Sequence, residues 1–280
     1  MNIDLKMDAL NHIMSELKVL GVEPPSSDLT ECALLLFKLE RRCPEARPRQ
    51  TKLSTTFAVP DELRKGVELL REAIHRGDDL KPYLSRGTFK VERSDELLDD
   101  WGILHLHLGE RFQADGLIEG TKTVAFVLVR DDCVYFINSL PHGGDTWVHE
   151  NFIHVIDQNW PELLPRIVSP MTPDLLSPQE RKHLRRKKVN ATVATPSGEV
   201  FFAPGGGFMS DGTAIADFSR LQRLYADLEY LERLYRNSEA EIRAALGKVD
   251  GVVSLYGRFV RGRIKVYEVS SGAEVRLNIP

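Results

Sequence analysis

Seven consecutive residues, Thr123–Val129, read TVAFVLV. A run that is apolar at both odd and even positions suits a strand covered on both faces, so this chain needs a sheet with an apolar layer on each side. The turn Val129-Arg130-Asp131-Asp132-Cys133 and the returning run Val134–Leu140 predict a tight hairpin. Ile103–Leu108 alternates and predicts a third strand, and Thr55–Val59 predicts a short one before them. Between and around these strands lie helix signals. Asp61 precedes a stripe of Leu63, Val67, Leu70 and Ile74 that ends at Gly77. Ser177-Pro178-Gln179-Glu180 combines an N-cap, an N1 proline and an N3 acid. The class expected is α+β, an antiparallel sheet with helices.

Three segments are expected. Residues 1–50 read as a helical hairpin and linker, with one helix through Met7, Leu10, Met14 and Leu17 and a second after Asp28. Residues 51–170 form the central module, closing with a helix through Val148, Phe152, Val155 and Ile156. Pro165–Pro178 carries four prolines in fourteen residues and marks the boundary. Residues 171–280 form a strand-helix-strand extension. It comprises a hairpin over 190–203, a glycine loop at 205–207, one long helix over 216–246 and strands over 252–260, 263–269 and 274–279.

Of the 280 residues, 42% are hydrophobic and 28% charged, which excludes disorder and collagen-like repeats for the bulk of the chain. No stretch approaches the roughly 18 apolar residues of a membrane helix, and the first residues lack the pattern of a secretion signal. With three cysteines and no ligand spacing, a cytoplasmic location and no disulfide framework are expected. The net charge of −4 confines any nucleic-acid surface to a local patch.

Chemistry concentrates in Trp101-Gly102-Ile103-Leu104-His105-Leu106-His107-Leu108. Residues two apart share a face of a strand, so His105 and His107 project together and the leucines project oppositely. Such a pair fits a polar sheet face, acid/base catalysis, or a metal site completed by His142 or His149. His142 closes a strand in Pro141-His142-Gly143-Gly144, and Arg111 and Lys122 are the nearby cations in sequence. Six of the eight residues 181–188 are basic: Arg181, Lys182, Arg185, Arg186, Lys187 and Lys188. On a helix 181, 185 and 188 share one face and 182 and 186 another, a stripe able to follow a phosphate backbone or to lie solvated. Leu255–Arg263 interleaves aromatic and basic residues and reads as a half-exposed hairpin, a pattern that equally suits base stacking. The glycine loop at 205–207 is neither a Walker loop nor GxGxxG and reads as a turn.

The order helix, loop, WGILHLHLGERF, loop, TVAFVLVRDDCVYFINSLPHG resembles RelE-type toxins, in particular the YafO branch of ribosome-dependent RNA interferases, over about residues 61–164. The resemblance implies a RelE-like central sheet and an endoribonuclease toxin. It implies RNA, including ribosome-bound mRNA, as partner, together with a protein antitoxin, and it points to His105, His107 and His142. On this reading one histidine takes the 2′-hydroxyl proton and another protonates the leaving oxygen. Arg111 or Lys122 steadies the phosphorane-like charge, with no cofactor, no metal and no membrane. Arg181, Lys182, Arg185, Arg186, Lys187 and Lys188 would contact nucleic acid. The alternatives are a non-catalytic interaction protein, which would self-associate, and a metal-dependent hydrolase built on the His-x-His pair.

Overall fold

The computed structural model describes the chain except residues 89, 92, 144–145, 147–150, 166–175, 197, 249, 261–262 and 278–280. His149, most of the proline-rich boundary, the start of the helix expected from Val148 and the end of the strand expected over 274–279 lie outside the described residues. The class is α+β, with two compact units. One joins residues 1–37 to 217–280, and the other is 38–216. This division cuts across the three consecutive segments read from sequence, because the chain's first residues pair with its last. Asn2 bridges Ser254, a pairing no local pattern encodes.

The 38–216 unit is built on a four-stranded sheet. Its strands are β1 (Gln50–Leu53), β2 (Ile103–His107), β3 (Thr123–Val129) and β4 (Cys133–Pro141), in the order β1-β4-β3-β2. The sheet is mixed rather than wholly antiparallel, since β1 runs parallel to β4. The strand expected over Thr55–Val59 falls instead on Gln50–Leu53, starting at the end of the stretch that reads as linker. The Ser54 N–H still donates to Phe136 O at 2.9 Å, and its hydroxyl donates to Ile137 O at 2.7 Å. The chain then leaves the ladder, and Phe57 packs edge-on against Phe136 with ring centroids 5.4 Å apart. Phe57 thus serves as core packing and not as a strand residue.

Both sheet faces are covered, as the TVAFVLV run requires. On one face Leu104, Leu106, Ala125, Val127, Val134 and Phe136 meet Val67, Leu70 and Ile74 of α3 (Arg64–Arg76). Gly77 ends that helix in the left-handed conformation at φ 81°. Gly66 of α3 lies so close that an added Cβ would fall 1.8 Å from the Leu108 carbonyl oxygen. Gly66→Ala should therefore force the helix off the sheet and cost about 1–3 kcal/mol in urea denaturation; a neutral result would mean that α3 is not seated there.

On the other face Ile103, Val124, Phe126, Leu128, Tyr135 and Ile137 meet Phe152, Ile153, Val155 and Ile156 of α5 (Asn151–Asn159), with Trp101, Trp160, Val193 and Phe201. Phe126 and Phe152 rings are 4.6 Å apart.

α4 (Glu96–Trp101), which the sequence reading leaves unassigned, is capped by the Asp95 carboxylate accepting from Leu98 N–H. α6 (Pro178–Arg186) begins with the expected capping box between Ser177 and Glu180. The short strands β5 (Val193–Ala194) and β6 (Val200–Phe201) form the expected small hairpin.

In the other unit, α1 (Leu5–Val19) packs on the hairpin of β7 (Leu255–Val260) and β8 (Arg263–Glu268). The Gly257 N–H donates to Asp8 at 2.7 Å, and the His12 ring stacks on Phe259 at 4.8 Å. Residues 29–37 of α2 (Leu29–Arg42) belong here, and Arg220 lies over the Phe37 ring at 4.1 Å. The helix expected over 216–246 is two helices, α7 (Ile215–Asn237) and α8 (Glu239–Ala245), which meet at Ser238. Asn237-Ser238 is the poorest helix-forming pair in that stretch, since both side chains compete for backbone groups.

Candidate functional site

The alternation of β2 places His105 and His107 on the face shared with Ile103, paired across from Phe126 and Val124. The His105 ring lies beside Phe126, 6.4 Å between centroids, and Phe126 packs against Phe152 of α5. His142 comes from the far end of β4, where its N–H donates to Lys122 O at 2.7 Å and prolongs the β3–β4 ladder. The three imidazoles cluster. Ring centroids are 6.3 Å apart for His105 and His107, 5.3 Å for His105 and His142, and 5.4 Å for His107 and His142.

Their environments differ. His105 and His107 are half-buried and His142 is exposed. Burial pushes His105 down to about 4, helped by the neighbouring His142. His107 is also pushed down to about 4, by burial first and then by His105, His142 and Arg86. Adding a proton to either ring removes a charge from water and sets it beside other imidazoles. Both rings are therefore neutral at pH 7. The Thr121 N–H donates to His107 Nδ1 at 3.1 Å, which leaves the neutral ring's proton on Nε2. Thr121 is itself fixed, its hydroxyl donating to Thr123 O at 2.6 Å.

His105 and His142 line a cavity of about 400 Å³. Its other walls include Ser85, Thr88, Arg93, Asp95 and Glu96, with Lys182, Arg185 and Arg186 of α6. Helical spacing divides the basic run between two jobs. Arg181 and Arg185 are only 1% and 2% exposed. The Arg185 guanidinium lies 4.0 Å over the Trp101 ring and pairs with Asp100. Arg181 lies 5.7 Å over the same ring and donates to Thr192 O. These two cations hold α6 against α4. Arg181 is too buried to serve as the expected surface contact to nucleic acid, while Arg185, equally buried against Trp101, also lines the cavity. Lys182 and Arg186, one turn apart, line the cavity. Lys187 is exposed, and Lys188 pairs with Glu96 at 3.3 Å and lies over Phe208.

The cations expected beside the histidines are placed differently. The Arg111 side chain is 83% exposed and pairs with Glu119. Lys122 is exposed, and its link to the cluster is its backbone carbonyl. The guanidinium that bears on His107 is Arg86, which is held by Asp115 and Gln113. Arg86, Arg93 and Thr121 escape sequence reasoning because 12 or more residues separate each from the nearest histidine they serve, with no motif between. Only Asp95 had a local signal, its N-cap position before Glu96-Leu97-Leu98. The loop carrying Thr88 and Arg93 is held from beneath by buried Arg42, which donates to the carbonyls of Thr88, Lys90 and Arg93.

A larger cavity of about 770 Å³ is lined instead by residues such as Glu40, Arg41, Arg49, Arg130, Asp131 and Tyr135, and none of the three clustered histidines lines it. The smaller cavity is the candidate because it joins titratable rings to cations. Among the described residues, no group of three or more His, Cys, Asp or Glu side chains is arranged to hold a metal ion. No helix among them is long and apolar enough to cross a membrane. No protein-family model, curated protein or solved structure matches the chain.

Proposed function

We propose that this protein is a metal-independent endoribonuclease whose working groups are the clustered histidines. The observation that carries the reading is the meeting of His105 and His142, 5.3 Å apart, with Lys182 and Arg186 around one cavity. Cations beside imidazoles suit phosphodiester cleavage, because negative charge grows on the phosphate oxygens in the transition state.

In this mechanism His105, neutral at pH 7, accepts the proton of a ribose 2′-hydroxyl. The 2′-oxygen attacks phosphorus, and the bond from phosphorus to the 5′-oxygen breaks. His142, on the solvent side, gives a proton to that leaving oxygen. The products are a 2′,3′-cyclic phosphate and a 5′-hydroxyl. Lys182 and Arg186 hold the phosphate. His107 is a positioning residue, fixed by Thr121 and packed against both working rings. Arg111 and Lys122 take no part. The internal nucleophile restricts the reaction to RNA.

The test is cleavage of a single-stranded RNA and its 2′-deoxy counterpart by wild type and by the His105→Ala/His107→Ala double variant. Wild type should cut only the RNA, and the double variant should be slower by at least about 100-fold. As a toxin, the wild type should slow growth on expression and the double variant should not. Undiminished cleavage by the folded double variant, or equal cutting of the deoxy strand, overturns the reading. Absence of RNA cleavage by the wild type would leave a non-catalytic interaction protein.

A further inference from the structure

The hairpin of β7 and β8 has two unlike faces. Leu255, Gly257 and Phe259 turn toward α1, where an added Cβ on Gly257 would meet Leu5 at 3.0 Å. The opposite face is set by the register pairs Tyr256–Tyr267, Arg258–Lys265 and Val260–Arg263. The two tyrosine rings stack with centroids 5.7 Å apart and planes 29° from parallel. The Arg258 guanidinium lies over both, 5.5 Å from Tyr256 and 5.2 Å from Tyr267. Arg258 and Arg263 are exposed. Beyond β8, Glu274 bridges Tyr267 and pairs with Lys265 at 3.4 Å and Arg276 at 3.0 Å. Among the described residues the face thus carries Arg258, Arg263, Lys265 and Arg276 with the Glu274 carboxylate, beside two stacked phenol rings.

We propose that this ribbon face binds single-stranded nucleic acid. Each chemical component of the strand finds a counterpart. A base has a flat π-surface, and the Arg258 guanidinium already stacked on the tyrosines offers a further flat, charged surface on which to lie. The phosphates between bases meet the excess of cations. A duplex hides its base faces, so the stacking half of the site serves only an unpaired strand. An acidic protein would use the cations but leave the ring platform unused. The ribbon belongs to the 1–37 and 217–280 unit and the histidine cavity to the 38–216 unit, and the inference stands whether or not that cavity cleaves RNA.

The experiment uses the full chain and a fluorescein-labelled oligothymidylate of 20 nucleotides, which has no 2′-hydroxyl, so cleavage cannot interfere with binding. Fluorescence anisotropy should show saturable binding. The double variant Arg258→Gln/Lys265→Gln should bind at least 10-fold more weakly. The slope of log affinity against log salt should flatten by about 1.4, since each single-strand phosphate that a cation ceases to neutralise lowers it by about 0.7. Far-ultraviolet circular dichroism and thermal unfolding of the double variant should match wild type, confirming that the hairpin stays folded. A 20-residue polyglutamate should fail to displace the strand at equal charge. Unchanged affinity and slope in the double variant, absence of binding by wild type, equal affinity for duplex, or displacement by polyglutamate would each overturn the assignment.

Discussion

Asp100→Ala is expected to lower the free energy of unfolding by about 3–5 kcal/mol, the cost of removing one partner from a buried ion pair. Asp100 and Arg185 side chains are 5% and 3% exposed. Burial pushes the Asp100 carboxyl up, and the adjacent Arg185 opposes that shift. Truncating Asp100 leaves a guanidinium in the interior without its carboxylate. Arg185→Met should cost far less, because its apolar side chain can fill space over the Trp101 ring with no charge to compensate. Urea denaturation of the two variants decides the matter. A loss below about 1 kcal/mol for Asp100→Ala would mean that the pair is open to water. The consequence reaches the candidate site, since Arg185 is one of the two buried cations that hold α6, which presents Lys182 and Arg186 to the cavity. On the proposed function, Asp100→Ala should therefore also weaken RNA binding without altering Lys182 or Arg186.

The histidine cluster is expected to make stability fall as pH drops from about 6.5 to about 4. His105 has its folded value near 4 against an ordinary 6.5. Between those limits the unfolded chain binds a proton that the folded chain refuses. Stability is full above pH 6.5, declines through the window and levels off below 4. At about 1.4 kcal/mol per pH unit this amounts to on the order of 3 kcal/mol for His105. His107 titrates in the same direction, but its share overlaps because the rings repel one another. Asp95 and Asp100, both raised by burial, act with the opposite sign. The measurement is therefore the difference between wild type and His105→Gln at pH 7.5 and pH 4. The wild type should lose more by roughly 2–3 kcal/mol. Parallel pH profiles would show that His105 is solvated and protonates freely.

Several elements were legible because one short segment contains their cause. The capping box at Ser177, the left-handed Gly77 and the two-sided burial of Thr123–Val129 follow from local geometry and local polarity. The common face of His105 and His107 follows from strand periodicity alone. The helix of Glu96–Trp101 was hidden by its brevity and its acids. Its signal is a single N-cap aspartate, and its stability comes from Trp101 meeting arginines more than 75 residues away. The strand at Gln50–Leu53 is mostly exposed and polar, so no hydrophobic pattern announced it, and its place is set by backbone pairing with β4.

The basic run shows where local reading stops. Charge and helical spacing could be read directly, and so could the separation of 181, 185 and 188 from 182 and 186. Which face would be buried depended on where Trp101 and Asp100 came to rest, and that is a property of the folded core. The residues alone settled the α+β class, the strand alternation and the pairing of two imidazoles on one wall, because each depends on neighbours within a few positions. The assembly of His142, Arg86, Arg93 and Lys182 around those imidazoles was decided by tertiary packing. Contacts between distant segments arise only when apolar burial closes the loops between them, and no short stretch of sequence records that closure.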